Sequence, residues 1–110
     1  MAKNLTRVTM IKMGESHIPT ALKGFDAFAK TQQKNGKPYI LSMECGPAYG
    51  HVRDQGFTLV AKATFSSAED MKFYEAQCPA HQAYREFLAA NAPATGLMTC
   101  IYTPGVSCKL

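Results

Sequence analysis

Apolar and polar residues alternate along four short stretches of the chain, as they do in half-buried β-strands. These stretches are residues 6–13, 39–44, 57–65 and 98–102, and segments containing glycine, proline or small polar residues separate them. The pattern therefore predicts four strands. The cleanest, 57–65, has one face made of Phe57, Leu59, Ala61, Ala63 and Phe65. In 6–13, one face carries Arg7, Thr9, Ile11 and Met13, and the other carries Val8, Met10 and Lys12.

Three further stretches repeat apolar residues at helical spacing. The first has Pro19 in its opening turn and ends at residues 35–38, where glycine supplies a left-handed turn and proline forbids continuation. The second opens on a capping box formed by Ser66 and Glu69 and stops before Pro79, which begins the third. The spacing thus predicts three helices, whose apolar stripes contain Leu22, Phe25, Phe28 and Ala29 in the first and Tyr84, Phe87 and Leu88 in the third.

The order of these elements is strand, helix, strand, strand, two helices, strand. It is typical of an α+β, ferredoxin-like fold, β-α-β-β-α-α-β, in which helices cover only one face of the sheet. The uncovered face would expose Val8, Met10 and Val60 in a monomer, so we expect two sheets to pack together in a homodimer. Residues 1–110 are expected to form one domain, with its core at about 6–103 and a short tail at 104–110.

Composition excludes several partners. The chain is 46% hydrophobic and 18% charged, which is typical of a folded protein. Its net charge of +4 is scattered without a basic run, so no nucleic-acid partner is predicted. No apolar run approaches the roughly 20 residues of a membrane span, and the N-terminus shows no secretory leader, so we expect neither a membrane partner nor secretion. The four cysteines have irregular spacing and no two histidines stand at ligand spacing, so neither a disulfide framework nor a metal site is predicted.

The last three residues, Cys108, Lys109 and Leu110, form a variant of the Ser-Lys-Leu address that directs proteins to peroxisomes. The alternative is a polar tail without a targeting role. The expected location is therefore cytoplasmic or peroxisomal.

Several segments in the same order resemble the stress-responsive dimeric α+β barrel (Dabb) family, from Arg7 to about Tyr102. They are RVTMIKM, QGFTLVAKATF, SAEDMKFYEAQ and the PAH that follows, while KNGKPYILSMECGPA and RDQGFT look most like fungal members. The resemblance implies a homodimer whose sheets close into a barrel, with a cleft between each sheet and its own helices. Our first functional hypothesis is a homodimer that binds a small apolar or carbonyl ligand in this cleft, and no cofactor is predicted.

One distantly similar family member is a plant polyketide cyclase, olivetolic acid cyclase, and the resemblance to it is partial. The histidine of its PAH segment corresponds to His81. Its two strand histidines fall on Arg7 and Leu59, and its tyrosine falls nearest Glu75, with Tyr74 adjacent. Only His81 therefore matches a functional residue of the cyclase, so the resemblance does not imply the cyclase reaction for this chain.

His81 and Arg7 are the candidate catalytic residues. At a helix start, the positive end of the helix dipole disfavours a protonated imidazole, so the ring of His81 would stay neutral and could act as a base. Arg7 on the cleft face could hold a carboxylate or enolate oxygen beside it. Such a pair defines an alternative function, a cofactor-free cyclase, lyase or isomerase. Otherwise His81 is a structural histidine bonded to the backbone.

The expected ligand contacts line the cleft or its mouth. A loop histidine beside a glycine, His51, is either such a contact or simply solvated. The full predicted set is Phe25, His51, Phe57, Leu59, Met71, Tyr74, Tyr84 and Phe87.

Overall fold

Four antiparallel strands and three helices make up the fold in the computed structural model, which describes residues 4–110. Residues 1–3, part of the N-terminal stretch that we expected to lack a leader, lie outside the described residues. The elements are β1 (Leu5–Lys12), a 3-10 turn (Glu15–His17), α1 (Ile18–Thr31), β2 (Ile40–Pro47), β3 (Leu59–Phe65), α2 (Ala68–Ala76), α3 (Pro79–Asn91) and β4 (Gly96–Tyr102). The sheet order is β2-β3-β1-β4. The α+β, ferredoxin-like prediction is confirmed.

Strand ends differ from the predicted ones because pairing between strands, rather than local alternation, sets them. β2 continues past the predicted end at residue 44, since Cys45 pairs with Ala61 and Pro47 with Leu59. β4 begins at Gly96, which pairs with Lys12, two residues earlier than predicted. These pairings join residues far apart in the chain, which a local pattern does not reveal.

The start of α2 corrects the predicted capping box. The residue that caps the helix is Ser67, whose Oγ accepts a hydrogen bond from the backbone N–H of Asp70 at 3.1 Å. Ser66 instead donates from its Oγ to the Asp70 carboxylate at 3.2 Å. Two adjacent serines offer the same capping chemistry, and the extended backbone of Ser67 decides between them.

The core between sheet and helices has two clusters. An aromatic cluster lies between α1, α2, α3 and the β2–β3 side of the sheet, and an aliphatic cluster lies near the start of α1. The aromatic cluster is Phe25, Phe28, Tyr39, Ile40, Ala63, Phe65, Met71, Tyr74, Cys78 and Tyr84. The aliphatic cluster is Ile11, Met13, Ile18, Ala21, Leu59 and Ala92.

The face of the sheet opposite the helices carries an apolar row. Met10 pairs with Val60 on one side and with Met98 on the other, so three apolar side chains lie next to one another. Val8 lies two residues before Met10 on the same face. Val8, Met10 and Val60 are half-buried and Met98 is exposed, so this face retains apolar surface that a second sheet could cover.

Candidate functional site

A cavity of about 340 Å³ lies between the helices and the part of the sheet that contains the first half of β1. β1, β3 and β4 form its floor, and residues of α1, α2 and α3 form its wall. Its lining residues are Arg7, Thr9, Ile11, Phe25, Ala61, Lys62, Ala63, Tyr74, Glu75, His81, Tyr84, Arg85, Leu88, Leu97 and Thr99.

His81 is held in place by the break between α2 and α3. Pro79 ends the preceding segment and opens α3, which places His81 in the first turn of the new helix. The last carbonyls of α2 have no partner within that helix, and the carbonyl of Tyr74 bonds instead to His81 Nδ1 at 2.8 Å. The imidazole also stacks on the Tyr74 ring, with 4.0 Å between ring centroids. The ring is therefore fixed in position and orientation.

The hydrogen bond also decides the tautomer of His81. A carbonyl oxygen can only accept, so Nδ1 carries the proton, and in the neutral ring Nε2 keeps a free lone pair. The pKa of His81 is lowered from its ordinary 6.5 to about 4; burial is the largest cause, the hydrogen bond to Tyr74 opposes it, and the positive charges of Arg85 and Arg7 add to the lowering. The ring is neutral at physiological pH, as the sequence predicted, but burial rather than the helix dipole is the main cause.

Arg7 is the most constrained charged group of the cavity. Its Nε donates to the Glu75 carboxylate at 3.1 Å, and its Nη1 donates to the Thr9 hydroxyl at 3.0 Å. The guanidinium carbon lies 5.1 Å from the centroid of the Tyr74 ring, which adds a cation–π contact. The Thr9 hydroxyl is in turn 3.1 Å from that of Thr99 on β4. Contacts from α2, β1 and β4 thus orient the guanidinium at the cavity wall.

The structure brings together five of the residues that the sequence singled out. His81 and Arg7 both line the cavity, although their hydrogen bonds go to other residues and do not join them directly. Phe25, Tyr74 and Tyr84 line the same cavity. Burial raises the pKa of Tyr74 to about 12, so its phenol stays protonated at neutral pH. The cavity therefore combines a neutral imidazole, a guanidinium and aromatic surface.

The other predicted ligand contacts lie elsewhere. Leu59 is fully buried in the aliphatic cluster, and Met71 is buried in the aromatic cluster. A pattern that predicts an inward-facing side chain does not distinguish a residue that lines a cavity from one that fills the core. Phe57 precedes β3, and the Lys12 ammonium lies over its ring. Phe87 lines a separate groove between α1 and α3. His51 is exposed in the β2–β3 loop, where its Nδ1 accepts a hydrogen bond from the Arg53 N–H.

Sequence reasoning missed several polar residues of the cavity. Thr9 and Thr99 are hydroxyl residues in directly paired strands, and their pairing depends on the β1–β4 register. Glu75 follows Tyr74 on α2, and only the partial resemblance to the cyclase points to its position. Thr9 could have been found from Arg7, because residues two apart in a strand share a face and an inward-facing Arg7 therefore places Thr9 on the inward face as well.

Within residues 4–110, no cluster of three or more histidine, cysteine or acidic side chains could hold a metal ion. None of the described helices is long and apolar enough to cross a membrane.

A ferredoxin-like sheet with a cavity beneath its helices and an uncovered apolar face defines an α+β barrel domain. The chain belongs to the Dabb family, because the model of the stress responsive A/B barrel domain matches residues 5–96. A curated fungal relative, the "Fusaristatin A biosynthesis cluster protein" of Gibberella zeae, is 41% identical over 105 residues. That match covers 94% of this chain and 75% of the relative. The predicted family and its fungal affinity are confirmed.

Solved structures share the fold at low sequence identity. A hydroxynitrile lyase from Passiflora edulis superposes with a TM-score of 0.75 and 12% identity, covering 99% of this chain and all of that one. A dimeric ferredoxin-like protein of unknown function from Thermobifida fusca gives a TM-score of 0.72 and 8% identity, covering 94% and 93%. At such identities, the likeness concerns the fold alone.

Proposed function

We propose that this protein is a homodimer that binds a small apolar or carbonyl-containing molecule in the cavity of each subunit. The observation that carries the proposal is the unfilled space of about 340 Å³ beside Arg7 and His81. Small-molecule sites typically enclose about 300–1,000 Å³, with mostly apolar walls and a few convergent polar groups. Here Phe25, Tyr84 and Leu88 provide the apolar wall.

The electrostatics of His81 favour binding over catalysis. A general base works best when its pKa lies near the operating pH. With a pKa of about 4, His81 takes up a proton poorly at neutral pH, whereas its free Nε2 lone pair can still accept a hydrogen bond from a ligand. Its role in the proposal is therefore a fixed acceptor in the cavity wall.

The binding proposal is tested with 2-acetylnaphthalene, an apolar ketone, by isothermal titration calorimetry. Ala61 lies on the cavity floor, so Ala61→Phe should fill the space and weaken binding at least about tenfold. Ala83→Phe makes the same change in the groove between α1 and α3 and should leave binding unchanged. Absence of saturable binding by the wild type, or equal binding by both variants, contradicts the proposal.

The dimer is supported by the apolar row on the sheet face and by the dimeric protein from Thermobifida fusca with the same fold. Val60→Asp would bury an unpaired carboxylate between two sheets, which costs about 3–5 kcal/mol, so the variant should be monomeric or unstable. Val52→Asp introduces the same charge in an exposed loop and should remain dimeric. Light scattering that finds a stable Val60→Asp dimer contradicts the interface through Val8, Met10 and Val60.

A second candidate function is a cofactor-free lyase, isomerase or polyketide-cyclase-like enzyme, with His81 as base and Arg7 as partner of a developing oxyanion. It is favoured by the fold shared with the hydroxynitrile lyase and by the free Nε2 of a histidine that lines the cavity. Its test is turnover by His81→Ala, with His51→Ala as the matched change outside the cavity. Undiminished turnover by His81→Ala rules out this function.

Peroxisomal targeting is proposed from the terminal tripeptide. Cys108, Lys109 and Leu110 follow β4 and are all exposed, as a receptor-bound address must be. A fluorescent protein fused before residue 4 should enter peroxisomes, and deletion of Leu110 should leave it in the cytosol. Cytosolic fluorescence of the intact fusion contradicts the targeting proposal.

A further inference from the structure

Positive charge predominates among the residues that line the cavity. Arg7 and Arg85 are the cationic side chains on this face, since Lys62 alternates with the inward-facing Ala61 and Ala63, whereas Glu75 is the one carboxylate in the lining. Arg85 has no ion-pair partner among the residues that the structure describes. A neutral ligand would leave this excess of positive charge unbalanced at the cavity, whereas an anion would pair with it.

The guanidinium of Arg7 also keeps unused donors. Its five N–H groups form a planar fork, of which only Nε and one N–H of Nη1 are engaged in the described part of the chain. Both N–H groups of Nη2 and the second of Nη1 remain available. Parallel N–H groups of this kind bind a carboxylate through both oxygens, which is stronger and more directional than a single contact.

Glu75 occupies Arg7 weakly. One carboxylate oxygen makes one contact, at 3.1 Å, and the side chain of Glu75 is 39% exposed while that of Arg7 is 18% exposed. Such partly exposed pairs contribute little to stability. A carboxylate ligand that binds through both oxygens can therefore replace Glu75, and the released side chain returns to water.

We propose that the cavity binds a small carboxylate with an apolar body, which displaces Glu75 from Arg7. The carboxylate takes the fork of Arg7, with Arg85 as a second positive charge, and the apolar body lies against Phe25 and Leu88. This assignment rests on the ligand-binding role proposed above and narrows it to one chemical class. Glu75 then acts as an internal competitor that holds Arg7 until the ligand arrives.

The experiment uses two probes of nearly the same shape, 2-naphthoate and its uncharged analogue 2-naphthamide, titrated calorimetrically into the dimer. The wild type should bind naphthoate at least about tenfold more tightly. Arg7→Gln should lose most of this preference and keep only what Arg85 contributes, and Arg7→Lys, which keeps the charge but not the fork, should keep a larger part of it. Glu75→Gln should tighten naphthoate binding several-fold and leave naphthamide binding unchanged. Lys30→Gln, a change at an exposed pair on α1, should behave as wild type.

The outcomes separate this inference from the role on which it rests. Binding of neither probe by the wild type contradicts ligand binding in the cavity altogether. Equal binding of both probes leaves that role intact and overturns the carboxylate assignment. An undiminished preference for naphthoate in Arg7→Gln overturns the assignment to Arg7, and unchanged naphthoate affinity in Glu75→Gln overturns the competition by Glu75.

Discussion

The two ends of β1 lie on the same covered face of the sheet, yet apolar core residues stand at one end and polar cavity residues at the other. Near the end of the strand, Ile11 and the following Met13 belong to the aliphatic cluster. At its start, Arg7 and Thr9 point into the cavity. All four residues lie on one face of a single alternating stretch, so the alternation is the same at both ends. The two ends differ in the polarity of their side chains and in the size of the residues on the neighbouring strands.

The neighbouring strands explain why the space beside Arg7 and Thr9 stays open. Ile11 pairs with Leu59, a large side chain that fills the core. Arg7 and Thr9 pair with Ala63 and Ala61, whose methyl groups reach little into the same layer. The small alanines leave space above the sheet, and the hydrogen-bonding groups of Arg7 and Thr9 need partners there. Apolar packing is therefore concentrated at one end of the strand, and polar, hydrogen-bonded side chains at the other.

The largest expected effect on stability comes from comparing two leucines that both pair with Ile11. Leu59 is fully buried, so Leu59→Ala should lower the free energy of unfolding by about 2–5 kcal/mol. Leu97, on β4, is 66% exposed at the cavity, and Leu97→Ala should cost less than about 1 kcal/mol. Urea unfolding followed by circular dichroism, at one protein concentration, measures both. Equal losses would mean that the cavity beside β4 is packed as tightly as the aliphatic cluster.

Enlarging an alanine at each end sharpens the comparison. Ala21 is fully buried in the aliphatic cluster, so Ala21→Leu should overpack it and cost about 1–3 kcal/mol of stability. Ala61→Leu adds the same atoms beside the cavity, where there is room, and should change stability by less than about 1 kcal/mol. The same unfolding experiment applies, and a larger loss in Ala61→Leu contradicts the open space.

His81 makes stability at the cavity end depend on pH. Its folded-state pKa of about 4 lies below the ordinary 6.5 of the unfolded chain. The unfolded state therefore binds more protons between these values, and stability falls as pH decreases through that window. The expected loss is about 2 kcal/mol between about pH 7 and about pH 5. His81→Asn keeps an N–H for the Tyr74 carbonyl and removes the titration, so its loss over the same range should be smaller by that amount. If the free energy of unfolding falls equally in the wild type and in His81→Asn over this pH range, the lowered pKa of His81 is contradicted.

The smallest expected effect on stability is at the ion pair of the cavity. Both partners are partly exposed, so Arg7→Gln should cost no more than about 1 kcal/mol. A double-mutant cycle with Glu75→Gln should give a coupling energy below about 1 kcal/mol. A coupling of several kcal/mol would place the pair in the packed part of the core and would remove the reason for its displacement by a ligand.

Much of the fold follows from the sequence because its elements depend on local signals. Alternation indicates the strands, helical spacing indicates the helices, and Pro79 separates α2 from α3 without any tertiary information. The inward parity of Arg7 and the helix-start position of His81 are local in the same way. These signals determined the fold class, the family resemblance and two residues of the candidate site.

The tertiary structure alone decided which inward residues line a cavity and which fill the core. Leu59 and Arg7 share an inward-facing pattern, but strand register places one beside Ile11 and the other beside Ala63. The bond from Tyr74 to His81 and the contact of Glu75 with Arg7 also depend on how α2 packs over the sheet. Cavities arise from the volumes that facing elements fail to fill, and residues distant in sequence meet there, so no local pattern encodes them.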